Sequence, residues 1–506
     1  MKLKLYTKLF LILGIFALVS CSDDDGIYAT PYESDVTAEP SPTPVYTSGD
    51  ANFSTYVAVG NSLTAGYADA ALYVEGQEVS FPNILAQQFA LAGGGSFTQP
   101  LMNDNLGGLL LEGHQLTDNR FYFDIASESP KVVVGTPTTE VSDIKPGPYN
   151  NMGVPGAKSY HLLASGYGNL AGVQAGMSNP YFVRMATSAN ATVMEDALAM
   201  SPTFFSLWIG ANDVLGYATS GGTGVDQNET GNTDPSTYGG SDITNINVFT
   251  QVYSALLQML VGTKAKGFVV NIPNVTDVPF FTTVPYNPIP MDAQTAAAVN
   301  NGYAEYNGGL ALAKAGGFIT EQEMADRTIH FQAGATNPVV IEDESLTDLS
   351  SMGIPSYRQA TPEDLLVLTA MNFIGTLADP NNPNSVNGVG VPLADQWVLV
   401  PAEQTHISNA ITAFNTTINN TALQLDIPML DANAILHQIA ENGLKVGSTT
   451  LTGDFVTGGA FSLDGVHPSP RGYAVLANYM IDLINQNYGS DLPKVNPIEY
   501  AGVRVK

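Results

Sequence analysis

Apolar residues fall along this chain in short unbroken runs, separated by longer stretches with a helical spacing. Tyr56-Val57-Ala58-Val59 is one run, closed by Gly60, and Thr203 to Ile209 is a second, closed by Gly210. Gly267 to Ile272 and Ile427 to Leu430 are two more. Short apolar runs of this kind, two of them ending at glycine, predict strands buried on both faces of a parallel sheet. Between them, apolar positions three and four apart mark Val193 to Met200, Phe249 to Val261, Glu403 to Leu423 and Arg471 to Asn485 as helices. Strand and helix alternating in this way predict an α/β fold with a mostly parallel sheet covered on both faces.

Three polar stretches, near 90–150, 216–245 and 277–400, are too long for ordinary connections. They are expected to form lids, subdomains or pocket walls. No repeat at solenoid or propeller periods is visible. Asp226-Gln227-Asn228-Glu229-Thr230-Gly231 begins like a calcium-binding EF-hand loop, but its twelfth position is Thr237, where a bidentate Glu is required. It reads as a loop.

Composition narrows the function. The 506 residues are 44% hydrophobic and 13% charged, with 18 Lys and Arg against 47 Asp and Glu, a formal charge of −29. That is apolar enough for a large core. It leaves no basic surface for nucleic acid, and anionic lipid would repel it. The single cysteine, Cys21, excludes an intramolecular disulfide and a cysteine-based zinc site. It follows Lys2, Lys4, Lys8 and an eleven-residue apolar run, Leu9 to Val19. Eleven residues suit the core of a signal peptide and are too few to span a bilayer. Leu18-Val19-Ser20-Cys21 resembles the lipobox of bacterial lipoproteins, in which the cysteine is lipidated and becomes the new N-terminus. The alternative is a plain signal peptide with an incidental cysteine. Ser22-Asp23-Asp24-Asp25 is similar to the surface-export tether of some Gram-negative lipoproteins. These resemblances imply an outer-membrane protein anchored through lipid on Cys21, exposed at the surface or facing the periplasm. The expected organisation is a signal peptide over 1–20, an acidic tether over 21–50, one domain over 51–490 and a tail over 491–506.

Four motifs carry the candidate chemistry. Gly60-Asn61-Ser62-Leu63-Thr64-Ala65-Gly66 follows the first strand, which puts Ser62 at the sheet edge where open α/β folds bind ligands. By itself Ser62 reads as a helix N-cap. Asp464-Gly465-Val466-His467-Pro468 precedes the last helix, and a spacing of three around glycine lets the carboxylate reach imidazole Nδ1–H, leaving Nε2 as a base. The other histidines, His114, His161, His330, His406 and His437, lack an Asp in such a turn and read as surface or packing residues. Too few clustered ligands exist for a zinc hydrolase.

With Gly153-Val154-Pro155-Gly156-Ala157 and Gly210-Ala211-Asn212-Asp213, the blocks together resemble the SGNH (GDSL-type) serine esterases, in the family's order, over residues 55–490. Asn61 stands where that family has Asp. The resemblance implies a flavodoxin-like three-layer core and two-step acyl transfer. Ser62 would be the nucleophile, His467 its base and Asp464 the orienting acid. The oxyanion hole would comprise the Ser62 amide, the amide of Gly156 (or Gly153) and the Asn212 side chain. An α/β-hydrolase fits less well, because the serine lacks a G-x-S-x-G context and acid and histidine lie three residues apart. The expected substrate is a lipid, aryl or acylated-carbohydrate ester, with no cofactor and no catalytic metal. The competing function is a ligand- or glycan-binding surface lipoprotein with an inactive core. Trp208 and Trp397 are the only tryptophans it would offer for stacking on sugars. Val278-Pro279-Phe280-Phe281 and Met371-Asn372-Phe373-Ile374 are candidate pocket linings, or equally the core of an insertion. Nothing in the pattern sets an oligomeric state.

Overall fold

The computed structural model describes residues 44–506, so the signal peptide, Cys21 and most of the tether lie outside the described residues. Residues 45–506 form one compact unit. Its centre is a five-stranded, all-parallel sheet of β1 (Tyr56–Gly60), β2 (Asn151–Gly153), β3 (Phe204–Trp208), β4 (Lys266–Val270) and β5 (Met429–Leu430). The spatial order is β2-β1-β3-β4-β5. Chain direction across the sheet therefore reverses between β1 and β3, and open α/β sheets bind ligands beyond the strand ends at such a point. The central pairing runs from Tyr56 opposite Phe204 to Gly60 opposite Trp208.

Every residue of β1 and β3 is buried, so both sheet faces are covered. Two helix groups do this. One pairs α2 (Phe81–Leu91) with α8 (Pro470–Tyr488). The other packs α5 (Ile246–Gly262) on α6 (Pro401–Gln424), and α6 on α4 (Asn212–Thr219). The helix α8 starts where Ser469 Oγ accepts the Gly472 N–H at 3.0 Å and stops at left-handed Gly489. The expected strands and helices are all present, α3 (Val193–Ala199) among them, with ends shifted by a few residues. The strand β2 has no apolar run behind it. Asn side chains complete its hydrogen bonding instead: Asn150 Nδ2 donates to Tyr56 O at 2.7 Å and Asn151 Nδ2 to Thr64 O at 3.0 Å.

The 277–400 insertion builds a core of its own around Ile329, Phe331, Val340, Leu366, Leu393 and Val398. Residues 90–150 hold small sheets, including the hairpin Phe121–Asp124 with Ser129–Val132. In the 216–245 stretch, Asp226 caps a short helix, Gln227–Thr230, where a loop was expected. The domain edges also differ from expectation. Thr47 N donates to Asp491 Oδ1 at 2.6 Å and Asp50 N to Tyr488 O at 2.7 Å, so the ordered unit starts before residue 51. Residues 491–506 are not a free tail. Phe123 and Arg504 to Lys506 exchange backbone hydrogen bonds, and Arg471 N donates to Ala501 O.

Candidate active site

The strand β1 delivers its last residue, Gly60, against the end of β3, where a Cβ would lie 2.4 Å from the Trp208 carbonyl oxygen. Only glycine fits, and the chain turns at once into α1 (Ser62–Ala65). The N-cap is Asn61, not Ser62: its Oδ1 accepts the Leu63 N–H at 3.0 Å. Relieved of capping, Ser62 stands at the first helical position with its hydroxyl directed elsewhere. Its Oγ lies 2.8 Å from His467 Nε2, and His467 Nδ1 lies 2.9 Å from Asp464 Oδ2. The three residues, expected from separate motifs more than 400 positions apart, form one continuous relay. Ser62 is 7% exposed, so its hydroxyl is reached from the pocket rather than from open solvent.

Asp464 is held from all sides. Its Oδ1 accepts the N–H groups of Val466 and His467, both at 2.8 Å, and its Oδ2 accepts Ala70 N–H at 3.1 Å. Burial pushes this carboxyl up. The His467 ring and the amides more than offset it and hold the pKa at about 2. The imidazole rests against Tyr67, ring centres 4.7 Å apart.

A turn that no motif marked fixes this loop. Asp69 and Ala70 both adopt left-handed φ, 54° and 64°, a conformation costing a non-glycine residue about 1–2 kcal/mol. The strained turn is held by Asp69 N donating to Ser462 Oγ at 2.9 Å, Leu463 N donating to Asp69 Oδ1 at 3.1 Å, and Tyr73 O–H donating to Asp69 Oδ2 at 2.8 Å. Its only mark in the sequence is an Asp set between alanines, Ala68-Asp69-Ala70.

The candidate oxyanion donors come from the neighbouring strand ends. The N–H groups of Ser62 and Gly156 have no acceptor among the described residues. The Gly153 N–H does, since it donates to Asn151 Oδ1 at 3.0 Å, which leaves Gly156 as the free amide of that segment. Asn212, at the start of α4 beyond β3, spends one amide hydrogen on Ala157 O at 2.9 Å and keeps the other. It lines the same pocket as Ser62 and His467. Asp213 is the second residue of α4. Fully buried, with its pKa pushed up by burial, it accepts Ser159 N–H at 2.8 Å and Ser159 O–H at 2.7 Å, tying α4 to the turn that carries Gly156.

A cavity of about 90 Å³ opens from Ser62 and His467. Much of its wall is apolar: Ile435, Leu436 and Ile439 of α7 (Ala432–Asn442), Val475 and Leu476 of α8, and Leu215 of α4. The expected wall from the long insertions is nearly absent. Val278 alone of the two candidate runs reaches the cavity, Phe281 is core, and Phe373 stacks on Trp397 with centroids 4.4 Å apart. Trp208 does line the cavity, from within the core strand.

None of the other five histidines approaches Ser62. His161 is stacked on Tyr167, its pKa lowered to about 4 by burial and then by Lys158. His406 lies 3.2 Å from Asp226, His437 lies 3.5 Å from Asp277, and His114 and His330 are exposed. The residues at the relay comprise no metal-ligating set. No family model, curated protein or solved structure matches the chain.

Proposed function

We propose that this chain is a serine esterase with an SGNH-type, flavodoxin-like core, hydrolysing carboxylic esters that carry an apolar acyl group. The reading rests on the Ser62–His467–Asp464 relay, 2.8 and 2.9 Å long, standing where the strand order reverses. With Nδ1–H donating to Asp464, His467 Nε2 accepts the Ser62 proton as Oγ attacks the ester carbonyl. The imidazolium then protonates the leaving alcohol. Water, deprotonated by the same nitrogen, attacks the acyl-enzyme and releases the acid. The amides of Ser62 and Gly156 and the remaining Asn212 N–H supply donors for the oxyanion, each worth about 3–4 kcal/mol.

The apolar wall of α7 and α8 supports an acyl rather than a sugar occupant. Each methylene buried there is worth about 0.8 kcal/mol, or roughly fourfold in kcat/KM. The test is an assay of p-nitrophenyl esters from acetyl upward, beside Ser62→Ala. We expect kcat/KM to climb with each added methylene until the cavity is full, and kcat to fall by on the order of 10⁴ or more in Ser62→Ala. Equal rates for wild type and Ser62→Ala would remove the assignment and bring forward a ligand-binding lipoprotein. Activity confined to acetyl esters would remove the acyl-pocket reading alone.

The anchor is part of the same proposal: lipid on Cys21 holds the enzyme at the outer membrane. Labelled palmitate should enter the wild-type protein in a bacterial host and be lost in Cys21→Ser. Equal labelling of both would overturn it.

A further inference from the structure

Glu403 stands in the first turn of α6, 4% exposed. Its Oε2 accepts the Val400 N–H at 2.7 Å and so closes the helix end. Its Oε1 is buried and has no hydrogen-bond partner among the described residues. A buried acceptor left without a donor is costly, and the surroundings add to the cost. Asp395 lies just before α6, and Glu344 comes from the 277–400 insertion. One carboxylate oxygen from each of the three residues lies within 4.8 Å of the others. Ionised carboxylates accept and cannot donate. Among the described residues, no basic side chain pairs with Glu344, Asp395 or Glu403. Arg358 of the same insertion is committed to Asp343 and Asp364, at 2.6 Å each. Gly222 packs so closely on this carboxylate that a Cβ there would lie 2.0 Å from Glu403 Oε1.

We propose that Glu344, Asp395 and Glu403 bind one Ca²⁺ ion that ties the 277–400 insertion to the core helix α6. The donor set is all oxygen and all carboxylate, which suits a hard cation and lacks the imidazole and thiolate ligands that zinc and copper sites favour. Two oxygens on one calcium, at about 2.4 Å each, are at most about 5 Å apart, in keeping with the spread of the three. Glu344 is exposed, so the ion has an entry path and open positions for water. Calcium's flexible coordination tolerates such a half-protein, half-water shell, whereas magnesium demands a near-ideal octahedron. The EF-hand-like stretch at Asp226 takes no part. Its carboxylate faces His406.

The competing account is a proton shared between Glu403 and a neighbour, and the two give opposite results. The purified protein, stripped with EDTA, is titrated with CaCl₂ while its Tm is followed. Calcium should raise Tm saturably, on the order of 2–4 °C. The rise should vanish in Glu403→Gln and shrink in Glu344→Gln, a surface change that leaves folding intact. Tb³⁺ added to the wild type should give protein-sensitised luminescence that CaCl₂ displaces and Glu344→Gln weakens about tenfold in affinity. If calcium leaves wild-type Tm unchanged while Glu403→Gln matches or exceeds the wild type in stability, the shared proton is correct and the ion site is not. An equal calcium response in wild type and all variants would place the ion elsewhere and also overturn the proposal.

Discussion

Asp464 divides its work between two oxygens. Oδ1 is saturated by the amides of Val466 and His467, which fix the loop, while Oδ2 faces His467 Nδ1 and receives Ala70 N–H. Nδ1 has no second polar partner among the described residues, so the carboxylate alone sets the tautomer. Asp464→Asn should therefore lower kcat by on the order of 10³–10⁴, the range expected when the ring is held in the wrong tautomer. A loss under tenfold would mean that Tyr67 packing orients the ring unaided. The pH dependence follows with a definite sign. The folded carboxyl sits at about 2, against an ordinary 3.8. A depressed folded pKa contributes stability that is complete above the ordinary value and disappears as pH falls through the folded one. Wild type should thus lose Tm between roughly pH 4 and pH 2 by more than Asp464→Asn does. Across the working range Asp464 stays ionised. Parallel Tm curves for the two proteins would contradict this account.

Elements were legible in the sequence where burial is periodic and obscure where polar contacts build them. The strands β1, β3, β4 and β5 are apolar runs because both of their faces are covered. The edge strand β2 reads as loop, since Asn150 and Asn151 use side-chain amides to bond the neighbouring backbone. The Ser, Asp and His of the relay were visible because each sits in a short motif at a strand or helix end. The turn at Asp69 was not, because its role lies in contacts with Ser462 and Leu463, nearly 400 residues away. The cavity wall was obscure for another reason. The helix α7 shows Ile435, Leu436 and Ile439 at ordinary amphipathic spacing, and such a stripe does not reveal whether it faces a core or a cavity. Length misled in the opposite sense: the 277–400 insertion buries its apolar residues in a core of its own or, like Phe281 and Val367, in the main core, and contributes little to the pocket.

At the scale of the molecule, the last residues of the chain are coupled to the segment that follows the first motif, residues 69–75, and through it to the loop of Asp464 and His467. Arg504 pairs with Glu75, its Nε donates to Tyr73 Oη at 3.1 Å, and its guanidinium lies 5.3 Å from the centre of the Tyr73 ring. Tyr73 in turn donates to Asp69, which receives Leu463 N–H beside Asp464. The C-terminal strap thus bears on the turn that holds Asp464 without lining the Ser62 cavity. Deleting residues 501–506 removes these contacts and the backbone bonds to Phe123 and Arg471. At about 1 kcal/mol for each of these four hydrogen bonds, with the partly exposed ion pair adding little, the loss is on the order of 4 kcal/mol. Denaturant unfolding should show that loss. The assay should show kcat lowered about tenfold, because a small displacement of an orienting group is costly in rate, while the dependence on acyl-chain length is unchanged, since α7 and α8 remain in place. A truncated protein that is destabilised yet fully active would mean that the Asp69 turn holds Asp464 without help from the strap. A changed chain-length preference would mean that the strap also shapes the pocket.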